Sequence, residues 1–142
     1  MGLDQYGMIR NKQIDFKKVY SDKYEPQKDG FVWRKHARLQ TFMAREFKKQ
    51  NPKEDTDAHS SMNGMGFNGD EHKVVITKDV LKRLENAIKE KYYNHFATDG
   101  FFWGHQFQEE QMKAYKKQDL EFIKFCKNAL EKKEVIEYSC SW

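Results

Sequence analysis

The chain has 142 residues, a net charge of +4, 38% hydrophobic and 34% charged residues. That length suits one domain with a modest core, here taken as 1–142. An aromatic share of 15% argues against disorder throughout, because each buried ring removes much apolar area from water. No run approaches the roughly 20 apolar residues of a membrane span.

In chain order, Met1 to Arg10 alternates and reads as a first strand, and Ile14 to Tyr20 as a second short one. Its start, MGLDQYGMIR, lacks the apolar centre of a signal peptide. Tyr6 stands where a myristoylation signal wants Ser or Thr, so a soluble intracellular protein is expected. Ser21 to Gly30, with Pro26 and Lys-Asp-Gly, is turn chemistry. Phe31 to Trp33 leads into a predicted helix whose stripe is Trp33, His36, Leu39, Met43 and Phe47. Arg34, Lys35, Arg38, Arg45, Lys48 and Lys49 fall on its other faces. Asn51-Pro52 ends it.

Residues 51–72 form a long polar loop. Lys73 to Thr77 reads as a strand, and Thr77 as the N-cap of a helix running to about Asn94. Val80, Leu81, Leu84, Ala87, Ile88 and Tyr92 make that helix's apolar stripe. After DGFFWGH (residues 99–105) a long helix spans about Gln108 to Lys133. Met112, Tyr115, Ile123, Cys126 and Leu130 point inward, joined by Leu120, Phe122 and Ala129. From Glu134 to Trp142 the alternation predicts a last strand with Ile136, Tyr138, Cys140 and Trp142 on one side. The expected fold is α+β: a small mixed or antiparallel sheet of three to five strands, with three helices packed mainly on one face. The strands nearest the two chain ends are expected to be neighbours.

Charge is unevenly distributed. Residues 1–53 carry 13 Lys and Arg against 6 acids, 54–72 carry 5 acids and no Lys or Arg, and 73–142 carry 13 against 11. Such blocks either mark a face for a polyanion or cancel across the fold. The two cysteines, Cys126 and Cys140, read as free thiols, with Cys126 in the core.

Tests for chemistry mostly fail. No histidine pair has zinc-ligand spacing, and although Asp57, His59, Glu71 and His72 share one loop, nothing there specifies a geometry, so no metal or cofactor is expected. Gly64 to Gly69 matches G-x-G-x-x-G but sits in a polar loop ahead of a strand, the wrong context for a dinucleotide. No nucleophile stands beside a base, which disfavours an enzyme. Two clusters remain. Trp33, Arg34, Lys35 and His36 combine cations and a ring at a predicted helix start, where an anion or nucleotide binds well. Asp99, Phe101, Trp103 and His105 belong to a glycine-bounded aromatic segment, with Phe102 expected to point opposite to Phe101 and Trp103. For each cluster the competing reading is a buried core edge.

The opening Met1-Gly2-Leu3-Asp4-Gln5-Tyr6, Trp33-Arg34-Lys35, Asp99-Gly100-Phe101-Phe102-Trp103-Gly104 and the closing Tyr138-Ser139-Cys140-Ser141-Trp142 resemble a family of small uncharacterised tailed-bacteriophage proteins. The resemblance implies a virus-type origin and the host cytoplasm; it implies no reaction. The family's Asn and His that follow Trp-Arg-Lys stand here as Ala37 and Gln40, and Trp103 and His105 also depart from its usual pattern. Three functional readings are open. The first is a non-enzymatic protein binding a host or viral protein or nucleic acid. The second is a nucleotide-binding or nucleotide-processing protein using residues 33–36 and 99–105. The third is a structural domain whose last strand pairs with a second copy at a sheet edge.

Overall fold

The computed structural model describes residues 3–53, 72–90 and 105–141, the side chains of 105–110 aside. Among the described residues, four strands form one antiparallel sheet: β1 (Asp4–Ile9), β2 (Phe31–Arg34), β3 (Val74–Val75) and β4 (Ile136–Ser141), in the order β2-β1-β4-β3. Three longer helices, α3 (Ala37–Gln50), α4 (Lys78–Lys89) and α5 (His105–Glu131), accompany it. Two single-turn helices, α1 (Phe16–Val19) and α2 (Pro26–Asp29), lie between β1 and β2. The fold is α+β.

Alternation decides which sheet face is buried. Gln5 and Gly7 of β1, Phe31 and Trp33 of β2, Val74 of β3 and Ile136, Tyr138 and Cys140 of β4 turn inward. The longer helices cover this face with their apolar stripes, including Leu39, Met43 and Phe47 of α3, Leu84 and Ile88 of α4, and Phe122 and Cys126 of α5. Gly7 leaves room for a ring: a Cβ there would stand 2.7 Å from Phe122 Cε1. The first and last strands pair over six residues, from Asp4↔Ser141 to Ile9↔Ile136. Thr77 caps α4, its Oγ1 accepting from Val80 N at 3.2 Å. Both cysteines are buried free thiols.

Several expectations are corrected. Ile14 to Tyr20 is no strand: the Asp15 carboxylate accepts from Lys17 N and Lys18 N and nucleates α1 instead. Pro26 at the first helical position similarly makes α2 a turn of helix, closed by Gly30 at φ 96°. Phe31 to Arg34 belongs to β2, and α3 begins only at Ala37. Arg38, expected on an outer face, is buried, and so is Glu46, whose carboxylate takes a two-pronged contact from Arg83 of α4 (2.6 and 3.0 Å). Leu120 is 45% exposed rather than inward. β4 lies inside the sheet, between β1 and β3, which removes the version of oligomerisation that needed it at an edge.

Both outer strands have backbone groups covered by side chains. On β2, Tyr115 OH donates to Arg34 O at 2.6 Å and Gln118 Nε2 to Val32 O at 2.6 Å. On β3, the Gln50 amide accepts from Val75 N at 3.0 Å and donates to Val75 O at 2.8 Å, as a neighbouring strand would. Such contacts occupy groups that would otherwise recruit another strand.

Candidate functional site

The segment Trp33 to His36 is where strand turns into helix. Phe31 and Trp33 face inward by the strand's two-residue period; Arg34 faces out and meets Asp4, its cross-strand partner, at 3.4 Å. Lys35, at φ 56°, adopts the left-handed conformation while its N–H still donates to Leu3 O at 2.8 Å. That reversal turns the next side chain, His36, back into the interior. Arg34 is therefore exposed and Lys35 half-buried, while Trp33 and His36 are sealed in the core.

Asp119 of α5 receives both buried side chains. The Trp33 indole Nε1 donates to Oδ1 at 3.0 Å, and His36 Nε2 lies 2.8 Å from Oδ2. The His36 ring stacks on Tyr115, one turn earlier on α5, with centroids 4.1 Å apart and planes 5° from parallel. Gln5 of β1 grips the His36 peptide from the other side, accepting from its N–H at 2.9 Å and donating to its carbonyl at 3.0 Å. The same Gln5 amide donates to Tyr138 OH at 2.9 Å, and that hydroxyl donates to Gln40 at 2.6 Å. The network thus ties β1, β4, the β2–α3 turn, α3 and α5 together. Burial holds the Tyr138 and Tyr115 hydroxyls protonated well above the ordinary tyrosine range, with the Asp119 charge adding to both.

The arrangement has the parts of an acid–base pair without the access. His36 and Asp119 are 0% and 1% exposed. Trp33 is packed by Phe31, Phe122 and Tyr138 at centroid distances of 5.8, 5.0 and 6.1 Å, so it offers no open ring face to a base. Buried hydrogen bonds that join five elements in this way favour one arrangement of the elements around them. Among residues 33–36, only Arg34 and Lys35 remain in reach of a ligand.

Asp99, Phe101 and Trp103, with Phe102, lie outside the described residues; His105 opens α5, and nothing is described of its side chain. The loop from 54 to 71 is also outside them, and His72, at its end, packs edge-on against Phe47 at 5.9 Å. Among the described residues, no three His, Cys, Asp or Glu side chains group as a metal site. Asp119, the hub residue, is not among the site residues expected from the sequence, although its position carries a signal. It falls on the inward stripe of the long helix, four after Tyr115 and three before Phe122, and an acid on an apolar stripe signals a buried partner.

The outer face of the sheet differs in character. Tyr6 and Met8 of β1 and Ser139 and Ser141 of β4 project there, and the chain from Asn11 to Phe16 forms one wall of an open cavity of about 540 Å³. Phe16 stands edge-on to Tyr6 at 5.8 Å yet stays 46% exposed, and Tyr20 is 70% exposed. Lys12, Lys73 and Glu137 supply charge at the rim, with Lys73 Nζ 3.8 Å from Glu137. Among the described residues, no helix is long and apolar enough to cross a membrane. No family model, no curated protein and no solved structure matches the chain.

Proposed function

We propose that the chain is a non-enzymatic binding protein of virus type, working in the host cytoplasm on a protein partner through the outer face of its sheet. The observation that carries this reading is the cavity of about 540 Å³ walled by Tyr6, Met8 and Phe16. Phe16 and Tyr20 keep large apolar rings in water, and exposed apolar surface rimmed by polar groups is characteristic of protein-binding sites. A partner segment with one apolar side chain would enter the cavity and pack on the touching rings of Tyr6 and Phe16. Its polar groups meet Lys12, Lys73, Ser139 and Ser141. The virus-type origin and the cytoplasmic setting rest on the motifs at both ends of the chain and at Trp33-Arg34-Lys35. The nucleotide reading loses support because Trp33 is packed on all sides, whereas the sheet-face reading uses side chains that are in contact with solvent.

Capture from host lysate tests this, with wild type and Phe16→Asp compared by quantitative mass spectrometry. The expected result is a host protein recovered by wild type and lost from the variant, whose circular dichroism and Tm stay near wild type because Phe16 is half-exposed. Recovery of no protein by wild type, or equal recovery by the variant, overturns the reading.

A further inference from the structure

α5 has a second surface that the core does not use. Lys113, Lys116, Lys117, Leu120, Lys124 and Lys127 are all exposed, and their steps of three and four place them on one side of the helix. From Lys113 to Lys127 the stripe is about 21 Å long at 1.5 Å per residue. The acids of this stretch do not neutralise it. Asp119 is turned inward to Trp33 and His36, and Glu121 lies half-buried at the margin. Some exposed cations elsewhere have acidic partners, as Arg10 and Lys73 have Glu137, Lys12 has Glu134, Arg34 has Asp4 and Lys28 has Glu25; others, such as Lys17, Lys23, Lys48 and Lys132, have none among the described residues but do not line up on one helix face. On the stripe, Lys127 alone has one, Glu85 at 2.7 Å; among the described residues no acid pairs with Lys113, Lys116, Lys117 or Lys124. Past Lys127 the surface is mixed: a groove of about 320 Å³ is lined by Lys78 and Lys82 of α4 together with Glu85 and Glu131.

Glu121 stands four residues after Lys117, a spacing at which an ion pair stabilises a helix, yet among the described residues the two form none. Four ammonium groups on one helix face, without acidic partners among the described residues, repel one another, a cost that a polyanion relieves. Lysine is a flexible point charge suited to phosphate oxygens and carries no planar fork for base edges. The stripe has no aromatic ring, so it lacks the stacking platform that single-strand binders use. A duplex, whose bases are already stacked, asks only for charge. Its strands repeat at about 3.4 Å per base pair, so the stripe faces about six base pairs.

We infer that the lysine stripe of α5 binds the phosphate backbone of a nucleic-acid duplex without reading its sequence. This surface lies on the helix layer, away from the outer sheet face, so the inference stands or falls independently of the protein-binding reading. Fluorescence anisotropy with a short labelled DNA duplex of mixed sequence tests it. Wild type should bind, and four neutralised phosphates should make affinity fall by about a hundredfold between about 50 and about 200 mM salt. Reversing charge at all four positions (Lys113→Glu, Lys116→Glu, Lys117→Glu, Lys124→Glu) should weaken binding by more than about tenfold. The four Lys→Gln changes at the same positions should act in the same direction by less, and they provide the test if the reversed variant does not fold. An equal charge change placed elsewhere on exposed positions (Lys17→Glu, Lys23→Glu, Lys48→Glu, Lys132→Glu) should leave most of the affinity. Absence of duplex binding by wild type at the lower salt overturns the inference. So does equal loss in both reversed variants, which would assign binding to overall charge. Tighter binding of polyglutamate than of the duplex also overturns it, in favour of an acidic protein partner.

Discussion

Asp119 and His36 stand 83 residues apart in the chain, yet their side chains meet at 2.8 Å in a place closed to solvent. The other Asp119 oxygen holds Trp33, so one carboxylate docks α5 onto both the end of β2 and the turn into α3. Removing one partner of a buried ionisable pair leaves the remaining group desolvated without compensation, which costs about 3–5 kcal/mol. Asp119→Ala should lower stability by that amount in urea denaturation. Asp119→Asn should lose less, because an amide can still accept from Trp33 and donate towards His36. A loss under about 1 kcal/mol for the alanine variant would show that the pair is not what holds α5 in place.

Gly7 faces the Phe122 ring, itself wedged among Phe31, Trp33 and Phe125. Adding one methyl there meets Phe122 Cε1 at 2.7 Å and Trp33 at 3.3 Å. Gly7→Ala should destabilise by about 1–3 kcal/mol, the usual range for overpacking. Phe122→Leu in the same chain should recover part of the loss. Thermal denaturation of the two single variants and the double variant measures that coupling.

Gln50 satisfies both backbone groups of Val75 on the outer side of β3. Gln50→Ala removes two hydrogen bonds at a partly exposed position, so a loss of about 1–2 kcal/mol is expected. The sharper readout is local. Amide hydrogen exchange at Val75 should accelerate more than exchange at Tyr138, which lies one strand further in.

Three tyrosines set an alkaline limit. Burial pushes Tyr24 up to about 12 and holds Tyr115 and Tyr138 well above the ordinary range. The unfolded chain ionises at its tyrosines near pH 10, so above that pH it binds fewer protons than the folded chain. The stabilisation from keeping these hydroxyls neutral is complete below about pH 10 and is lost as pH rises through the folded values. Stability in urea should therefore be flat in this respect up to about pH 10 and fall beyond it. In a spectrophotometric titration these three of the seven tyrosines should ionise late, together with unfolding.

Much of the architecture follows from short-range pattern. The apolar stripes of α4 and α5, the Thr77 cap and the inward set Ile136, Tyr138 and Cys140 depend on neighbours two to four residues away, and those neighbours are adjacent in the chain. Where two periods agree with the same residues, pattern is insufficient. Trp33, His36, Leu39, Met43 and Phe47 do fall on one helical stripe, and all five are buried. Yet Trp33 arrives there as a strand residue, because pairing with Gln5 captures it and Lys35 turns the chain by adopting positive φ. Ile14 to Tyr20 reads as a strand by its apolar spacing, but among the described residues no partner strand stands beside it, and the Asp15 cap prevails.

The sequence by itself determined an α+β chain, most of the apolar helix stripes, the buried Cys126 and the alternation of its last strand, since local spacing and hydrophobicity suffice for these. Only the tertiary structure decided the rest. It placed β4 inside the sheet, brought Gln5, His36, Asp119 and Tyr138 into one network, and divided the Trp-Arg-Lys-His segment into two buried and two accessible residues. The reason is physical: a polar group enters a core only when its partners are already there, and here they come from residues 5, 36, 40, 119 and 138. Separations that large leave no periodic trace, and their energy appears only once the sheet and helices have closed around them.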